Sequence, residues 1–167
     1  MTEITGPAAR VRAAAESFGL SVTIRTMPES TRTAEEAAAA CGCPVGAIVK
    51  SLVFRTAGGR PVLLLVSGSN RVDEKSVGAV IGEPIERPDA AFVRAVTGYA
   101  IGGIPPLAHA SALETWFDQD LLTFDSVWAA AGTPNAVFRV DPRALREAIG
   151  ARVISMTGRP PAHASVS

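Results

Sequence analysis

Ala47-Ile48-Val49-Lys50-Ser51-Leu52-Val53-Phe54-Arg55 and Pro61-Val62-Leu63-Leu64-Leu65-Val66-Ser67, joined by Thr56-Ala57-Gly58-Gly59-Arg60, form the stretch on which the fold turns. Two β-rich runs around a short glycine-bearing connection predict a hairpin. Side chains alternate across a strand, so Lys50 shares a face with Ile48, Leu52 and Phe54. An ammonium on an apolar face is costly unless it is paired or opens into a cleft. Two readings stay open here. Either the stem packs and the head reaches past a strand edge, or Lys50 is an anion- or carbonyl-binding lysine in a pocket. The chain holds fourteen arginines but only two lysines, Lys50 and Lys75, which suggests that a compact point charge is wanted at position 50. Lys75 reads as a solvated charge on a polar helix.

On the N-terminal side of the hairpin, Pro7 to Phe18 predicts a helix, with Val11, Ala14, Ala15 and Phe18 at helical spacing and Gly19 past its end. Ser21 to Thr26 alternates as a strand would. Thr33 and Glu36 have capping-box spacing before an alanine-rich helix that runs to about Cys41. On the C-terminal side, Asp73 caps a helix ending near Gly82, and Pro88-Asp89 open another that Gly98 ends. Thr97 to His109 is a shaped loop, rich in glycine and proline. Strands are expected at Leu113 to Phe117, Ser126 to Ala131 and Ala136 to Val140, then a helix from Asp141-Pro142 to Gly150 and a strand at Arg152 to Met156. Short strands interleaved with four or five helices do not fit a strict βαβ array. The expectation is one α+β domain over residues 1–156, with a mixed, largely antiparallel sheet, and a frayed tail over 157–167.

Composition narrows the function. The chain of 167 residues is 47% hydrophobic and 19% charged, enough apolar surface to order a domain. Sixteen basic residues balance sixteen acidic ones, so no global field draws in nucleic acid or an anionic membrane. A polyanion would have to be met locally. No apolar run approaches the roughly 18 residues of a membrane span. Glu3 and the lack of an apolar N-terminal region speak against a secretory signal, leaving the cytoplasm as the expected compartment. Cys41 and Cys43 lie too close in sequence for an unstrained disulfide, and zinc would need further ligands. The histidines are His109 and His163, the second in the tail. No metal is expected.

Few residues suggest chemistry. Gly102-Gly103-Ile104-Pro105-Pro106 follows Tyr99-Ala100-Ile101. Its glycines permit close backbone approach and its prolines hold a shape. The N–H groups of Gly102, Gly103 and Ile104 could line an oxyanion or carboxylate site, or the run could be an ordinary tight turn. Gly132-Thr133-Pro134-Asn135 is a second glycine turn, in which Asn135 reads either a polar ligand group or only its own turn. His109 is either a base or ribose contact, or a surface histidine. No phosphate loop, GxGxxG or G-x-S-x-G elbow occurs.

Thr33-Ala34-Glu35-Glu36-Ala37-Ala38, Ile48-Val49-Lys50-Ser51-Leu52-Val53-Phe54, Val72-Asp73-Glu74-Lys75, Thr97-Gly98-Tyr99-Ala100-Ile101-Gly102-Gly103-Ile104-Pro105-Pro106 and Ala131-Gly132-Thr133-Pro134-Asn135 together resemble the YbaK/ProX family, in order and spacing, over about residues 10 to 155. The resemblance implies a compact domain with a mixed, barrel-like β-sheet flanked by helices. It also implies a free-standing relative of the editing domain of bacterial prolyl-tRNA synthetases. Such proteins hydrolyse the ester of mischarged tRNA, for example alanyl- or cysteinyl-tRNA for proline, without metal or organic cofactor.

Carried over, Lys50 becomes the central lysine near the aminoacyl ester and terminal adenosine. Gly102 and Gly103 become the pocket floor, with Gly132 beside it. Ser51, Tyr99, Ile104, Pro105, His109, Thr133 and Asn135 complete the implied substrate-binding set. Some members carry an acid after the second glycine turn, whereas Thr133-Pro134-Asn135-Ala136-Val137 contains none here, so that role falls to Asn135 or is lost. The implied partner is the acceptor end of mischarged tRNA, with arginines such as Arg32 or Arg71 on phosphates, and a synthetase as a further partner. The alternatives are a non-catalytic module of the same fold, binding an aminoacyl-adenosine-like group or a synthetase, and a hydrolase for another small acyl ester.

Overall fold

A computed structural model describes residues 6–158. The sequence readings at Glu3, at His163 and over positions 159–167 lie outside the described residues. The chain runs α1 (Gly6–Ser17), β1 (Ile24–Thr26), α2 (Ala34–Cys41), β2 (Val49–Thr56), β3 (Pro61–Ser67), α3 (Glu74–Ile81), β4 (Ile85–Glu86), α4 (Ala90–Thr97), β5 (Glu114–Asp118), β6 (Val127–Ala130), β7 (Ala136–Val140), α5 (Pro142–Ile149) and β8 (Arg152–Ile154). The helices begin at the expected caps. Thr33 and Glu36 form the reciprocal capping box of α2, and the carboxylates of Asp73, Asp89 and Asp141 accept from the first turns of α3, α4 and α5. Such caps are each worth about 1 kcal/mol.

β2 and β3 pair antiparallel from Val49 opposite Ser67 to Arg55 opposite Pro61. This hairpin lies inside a five-stranded sheet of order β4-β2-β3-β5-β8, while β1, β7 and β6 form a second, three-stranded sheet. β3 is buried on both faces. Leu63 and Leu65 pack with Val49, Val53, Phe117, α1 and the second sheet, whereas Val62, Leu64 and Val66 pack with Phe54, Trp116 and Val77 of α3. A third apolar cluster joins Ala34, Ala37 and Ala38 of α2 to Ile48, Trp128 and Val137.

The α+β class with a mixed sheet is therefore the architecture, with two departures in detail. β3–β5 and β5–β8 are parallel, and the other four strand pairs are antiparallel. The parallel pairs are those joined by long connections carrying helices, as parallel geometry requires. The sheets also do not close into a barrel. Among the described residues, the backbone pairing between this part of the chain and β6 is the single bridge Ile48–Trp128, one residue before β2, and the second edge of β2 is paired only at Arg55 and Thr56, with β4. β1 starts three residues later than expected because only Ile24 to Thr26 find partners on β7.

Leu64 is fully buried in the α3-side core. Leu64→Ala is expected to lower the unfolding free energy by about 2–5 kcal/mol, as for other buried Leu truncations. Leu52→Ala, at a partly buried position of the same face, should cost clearly less. Urea titration of the two variants checks the order.

Candidate functional site

The gap left where β2 and β6 diverge is a cleft of about 440 Å³. Its walls are the first half of β2, the Thr31–Ala37 stretch entering α2, the Ile101–Ile104 loop and the end of β6. The Thr31 N–H and hydroxyl both donate to the Pro134 carbonyl, at 2.6 and 2.9 Å, which fixes the approach to α2.

Lys50 stands half-buried at the cleft edge, and its Nζ donates to the carbonyl of Asn70. No described carboxylate lies within ion-pair distance of it. Burial lowers its pKa from the usual 10.5; Arg87 and Arg71 add to that, whereas Glu35 and Asp118 oppose it. Next to it, Ser51 also lines the cleft, and its hydroxyl oxygen is buried with no hydrogen-bond partner among the described residues. An unpartnered buried hydroxyl is the kind of group a ligand completes. Gly102 and Ile104 line the opposite wall. Gly102 has φ 98°, and a Cβ there would collide with the Arg32 side chain, which lies over the loop. Neither the Gly102 nor the Ile104 N–H has a backbone partner among the described residues.

The remaining expected site residues are placed elsewhere. The Gly103 N–H donates to Ala100 at 3.1 Å, and a Cβ on Gly103 would stand 2.9 Å from the Thr133 carbonyl carbon. Its missing side chain thus lets the two glycine loops touch. Gly132 backs onto Pro7. Thr133 donates to Asn135 Oδ1 at 3.2 Å, and Asn135 Nδ2 donates to the Met27 carbonyl at 3.2 Å. Their side chains tie the second glycine turn together and to the chain after β1, instead of facing the cleft. Tyr99 is buried, donates to the Ala108 carbonyl at 2.8 Å and carries the Arg10 guanidinium over its ring. His109 Nε2 donates to the Pro105 carbonyl at 2.7 Å, so the neutral ring holds its proton on Nε2. Tyr99, Pro105 and His109 therefore brace the loop from beneath.

Sequence reasoning missed Asn70, Asp118, Glu35 and Trp128. Asp118 follows the apolar Trp116-Phe117 and precedes a short 3-10 turn, so its sequence signal is that of a cap. In the fold it is fully buried, and burial pushes its pKa up against hydrogen bonds from Asp120, Ser67 and Asn70. Burial and Cys43 raise the Cys41 thiol to about 11, so it is protonated near neutrality; burial also raises Cys43. Among the described residues no cluster of acidic, His and Cys side chains could hold a metal, and no helix is long and apolar enough to cross a membrane.

Two measurements check the bracing. Gly103→Ala should force the loops apart and cost about 1–3 kcal/mol, seen as a lower melting temperature. Burial holds the His109 pKa below 6.5, so the folded protein takes up that proton less readily than the unfolded chain. The stability this contributes is present above 6.5 and is lost as pH falls through the lowered value. On acidification from neutral pH, His109→Gln should therefore lose less stability than the wild type.

The chain matches the model of the aminoacyl-tRNA editing domain over residues 28–148. It is 31% identical to the uncharacterized protein YwhH of Bacillus subtilis (strain 168) over 118 residues, which is 71% of this chain and 75% of that protein. A crystal structure of a candidate trans-editing enzyme for prolyl tRNA synthetase is 44% identical, with a TM-score of 0.87 over 93% of this chain and 99% of that one. The crystal structure of hypothetical protein APE2540 is 32% identical, with a TM-score of 0.82 over 87% of this chain and 97% of that one. The cleft between the unclosed sheets is therefore that of a protein belonging to the aminoacyl-tRNA editing domain family.

Proposed function

We propose that the protein is a trans-acting deacylase, hydrolysing the ester between a wrongly attached amino acid and the terminal ribose of a tRNA. The observation that carries this reading is Lys50, held by a carbonyl at the edge of the cleft with no carboxylate partner among the described residues. An aminoacyl ester is already activated, so the site has mainly to orient it and stabilise the oxyanion formed when water attacks. Water adds to the carbonyl carbon, the bond to the ribose oxygen breaks, and the proton ends on that oxygen. Free amino acid and uncharged tRNA leave.

In this reading the Lys50 ammonium faces the developing oxyanion, and the Gly102 and Ile104 N–H groups supply further donors. The Ser51 hydroxyl takes a polar group of the aminoacyl moiety. Arg32 over Gly102, with Arg71, meets the phosphates of the acceptor end, which agrees with a chain of no net charge. Of the residues suggested by sequence, Gly103, Tyr99, Pro105, His109, Gly132, Thr133 and Asn135 act by shaping the two loops. No metal or organic cofactor is required. A protein acting on mischarged tRNA would work in the cytoplasm, alongside the synthetase whose errors it clears.

Incubation with a panel of mischarged tRNAs, scoring released amino acid, tests the activity and separates it from ester hydrolysis on other small acyl groups. Lys50→Ala should lower the rate on the order of 10²-fold or more, the usual cost of removing an oxyanion donor from a dry site. Its melting temperature should stay near that of the wild type. Release from no member of the panel, with acceptor-end binding retained, would favour a non-catalytic binding module. Undiminished release by folded Lys50→Ala would remove the lysine from the mechanism.

A further inference from the structure

The turn that receives Lys50 is held by a buried acid that no part of the mechanism above uses. Asp118 ends β5, beside β3, and is fully buried. Its Oδ2 accepts the Ser67 N–H and the Asn70 side-chain amide, each at 2.9 Å, and its Oδ1 accepts the Asp120 N–H at 2.9 Å. The same Asn70 amide donates to Asp120 Oδ2 at 2.7 Å, and the Asn70 N–H donates to the Ser67 carbonyl at 2.9 Å. On its other side the turn is tied to the segment entering β2. Ser67 Oγ donates to the Gly46 carbonyl at 2.7 Å, and the Gly68 N–H to the Ile48 carbonyl at 2.8 Å. Gly68 has no room for a side chain, because a Cβ would run into the Val45 carbonyl oxygen.

We infer that Asp118 and Asn70 are positioning residues for Lys50: the buried carboxylate locks the Ser67–Asn70 turn so that the Asn70 carbonyl holds the ammonium at the cleft edge. The inference rests on Lys50 being the group that meets the ester. Lys50 lies opposite Val66 on β3, so its side chain reaches over the end of β3 to the turn. Asn70 is bonded to the anion through its side chain and to the cation through its carbonyl. One ammonium N–H is engaged there, which leaves two for the cleft. Burying a carboxylate is expensive, and a turn could be pinned by a neutral side chain at lower cost. A negative charge at this point has the added effect of favouring the charged form of a lysine that burial disfavours.

The groups that bear on Lys50 come from every side. Glu35 at the start of α2 and Asp118 on β5 favour the ammonium, while Arg71 beyond the turn and Arg87 after β4 disfavour it. Asp120 acts through the Asn70 amide. Removing the Asp118 charge leaves burial and the two arginines less opposed, so Lys50 should then lose its proton at lower pH.

The chain has only two lysines, so selective ¹³C labelling gives two Cε signals, and Lys75→Arg identifies the one from Lys50. In Asp118→Asn the Lys50 signal should titrate at lower pH than in the wild type while that of Lys75 stays in place. Asn70→Ala keeps the backbone carbonyl but cuts its tie to both carboxylates. It should shift the Lys50 signal and lower deacylation about 10- to 100-fold, as misplacement of a reacting group does, in a protein that melts lower but is still folded at the assay temperature. If Asp118→Asn does not fold, Asn70→Ala decides. Lys50 signals that titrate and resonate as in the wild type, in folded variants, would overturn the inference. The titration reads the coupling without reference to activity, so its outcome is distinct from that of Lys50→Ala, which tests the lysine itself.

Discussion

The unpaired edge of β2 is the constraint around which this protein is arranged. Along Val49 to Arg55 the strand is fully engaged with β3, yet among the described residues its other edge is paired only at Arg55 and Thr56. Free strand edges invite pairing with other chains and are normally blunted or covered. Here the edge is screened by α2, by the end of β6 and by the Ile101–Ile104 loop, which stand off from it across a cleft. The bridge at Ile48–Trp128 fixes where the two sheets separate. The cleft is therefore a consequence of stopping short of barrel closure, and the side chains along that edge become one of its walls.

Lys50 sits in this wall half-buried, with its ammonium bonded to the Asn70 carbonyl. Taking an ion out of water costs several kcal/mol even after relaxation, whereas a hydrogen bond to a charged group returns about 1.5–3 kcal/mol. The single bond to Asn70 offsets part of the cost, and contact with the cleft supplies more. Glu35 and Asp118 favour the ammonium further. The same logic applies to Ser51, whose hydroxyl is buried without a partner among the described residues.

The two glycine loops illustrate how one residue type serves different ends. At Gly102 the absent side chain gives room to Arg32 at the cleft mouth; at Gly103 it lets one backbone pack on another. Around them Tyr99, His109, Thr133 and Asn135 direct their polar atoms to backbone carbonyls or to each other. Of the residues singled out in the sequence, Lys50, Ser51, Gly102 and Ile104 line the cleft.

Local chemistry made much of this legible in advance. The capping box at Thr33 and Glu36, the aspartate caps and the hairpin at Thr56–Arg60 are short-range effects, and each of these lies where its residues predict. The lysine on an apolar strand could also be singled out, because alternation along a strand is a property of the sequence. Which faces and edges meet was not legible. Asp118 looks like a cap and becomes a buried anion only when β5 lies beside β3; Asn135 reads as a ligand contact or as turn chemistry, and its amide meets the Met27 carbonyl only when the turn docks there. Alternation, caps and turns are set by neighbours within a few residues, so the sequence by itself determined them. The open edge, the cleft and the acid behind the lysine depend on contacts between residues tens of positions apart, which only the tertiary structure decided.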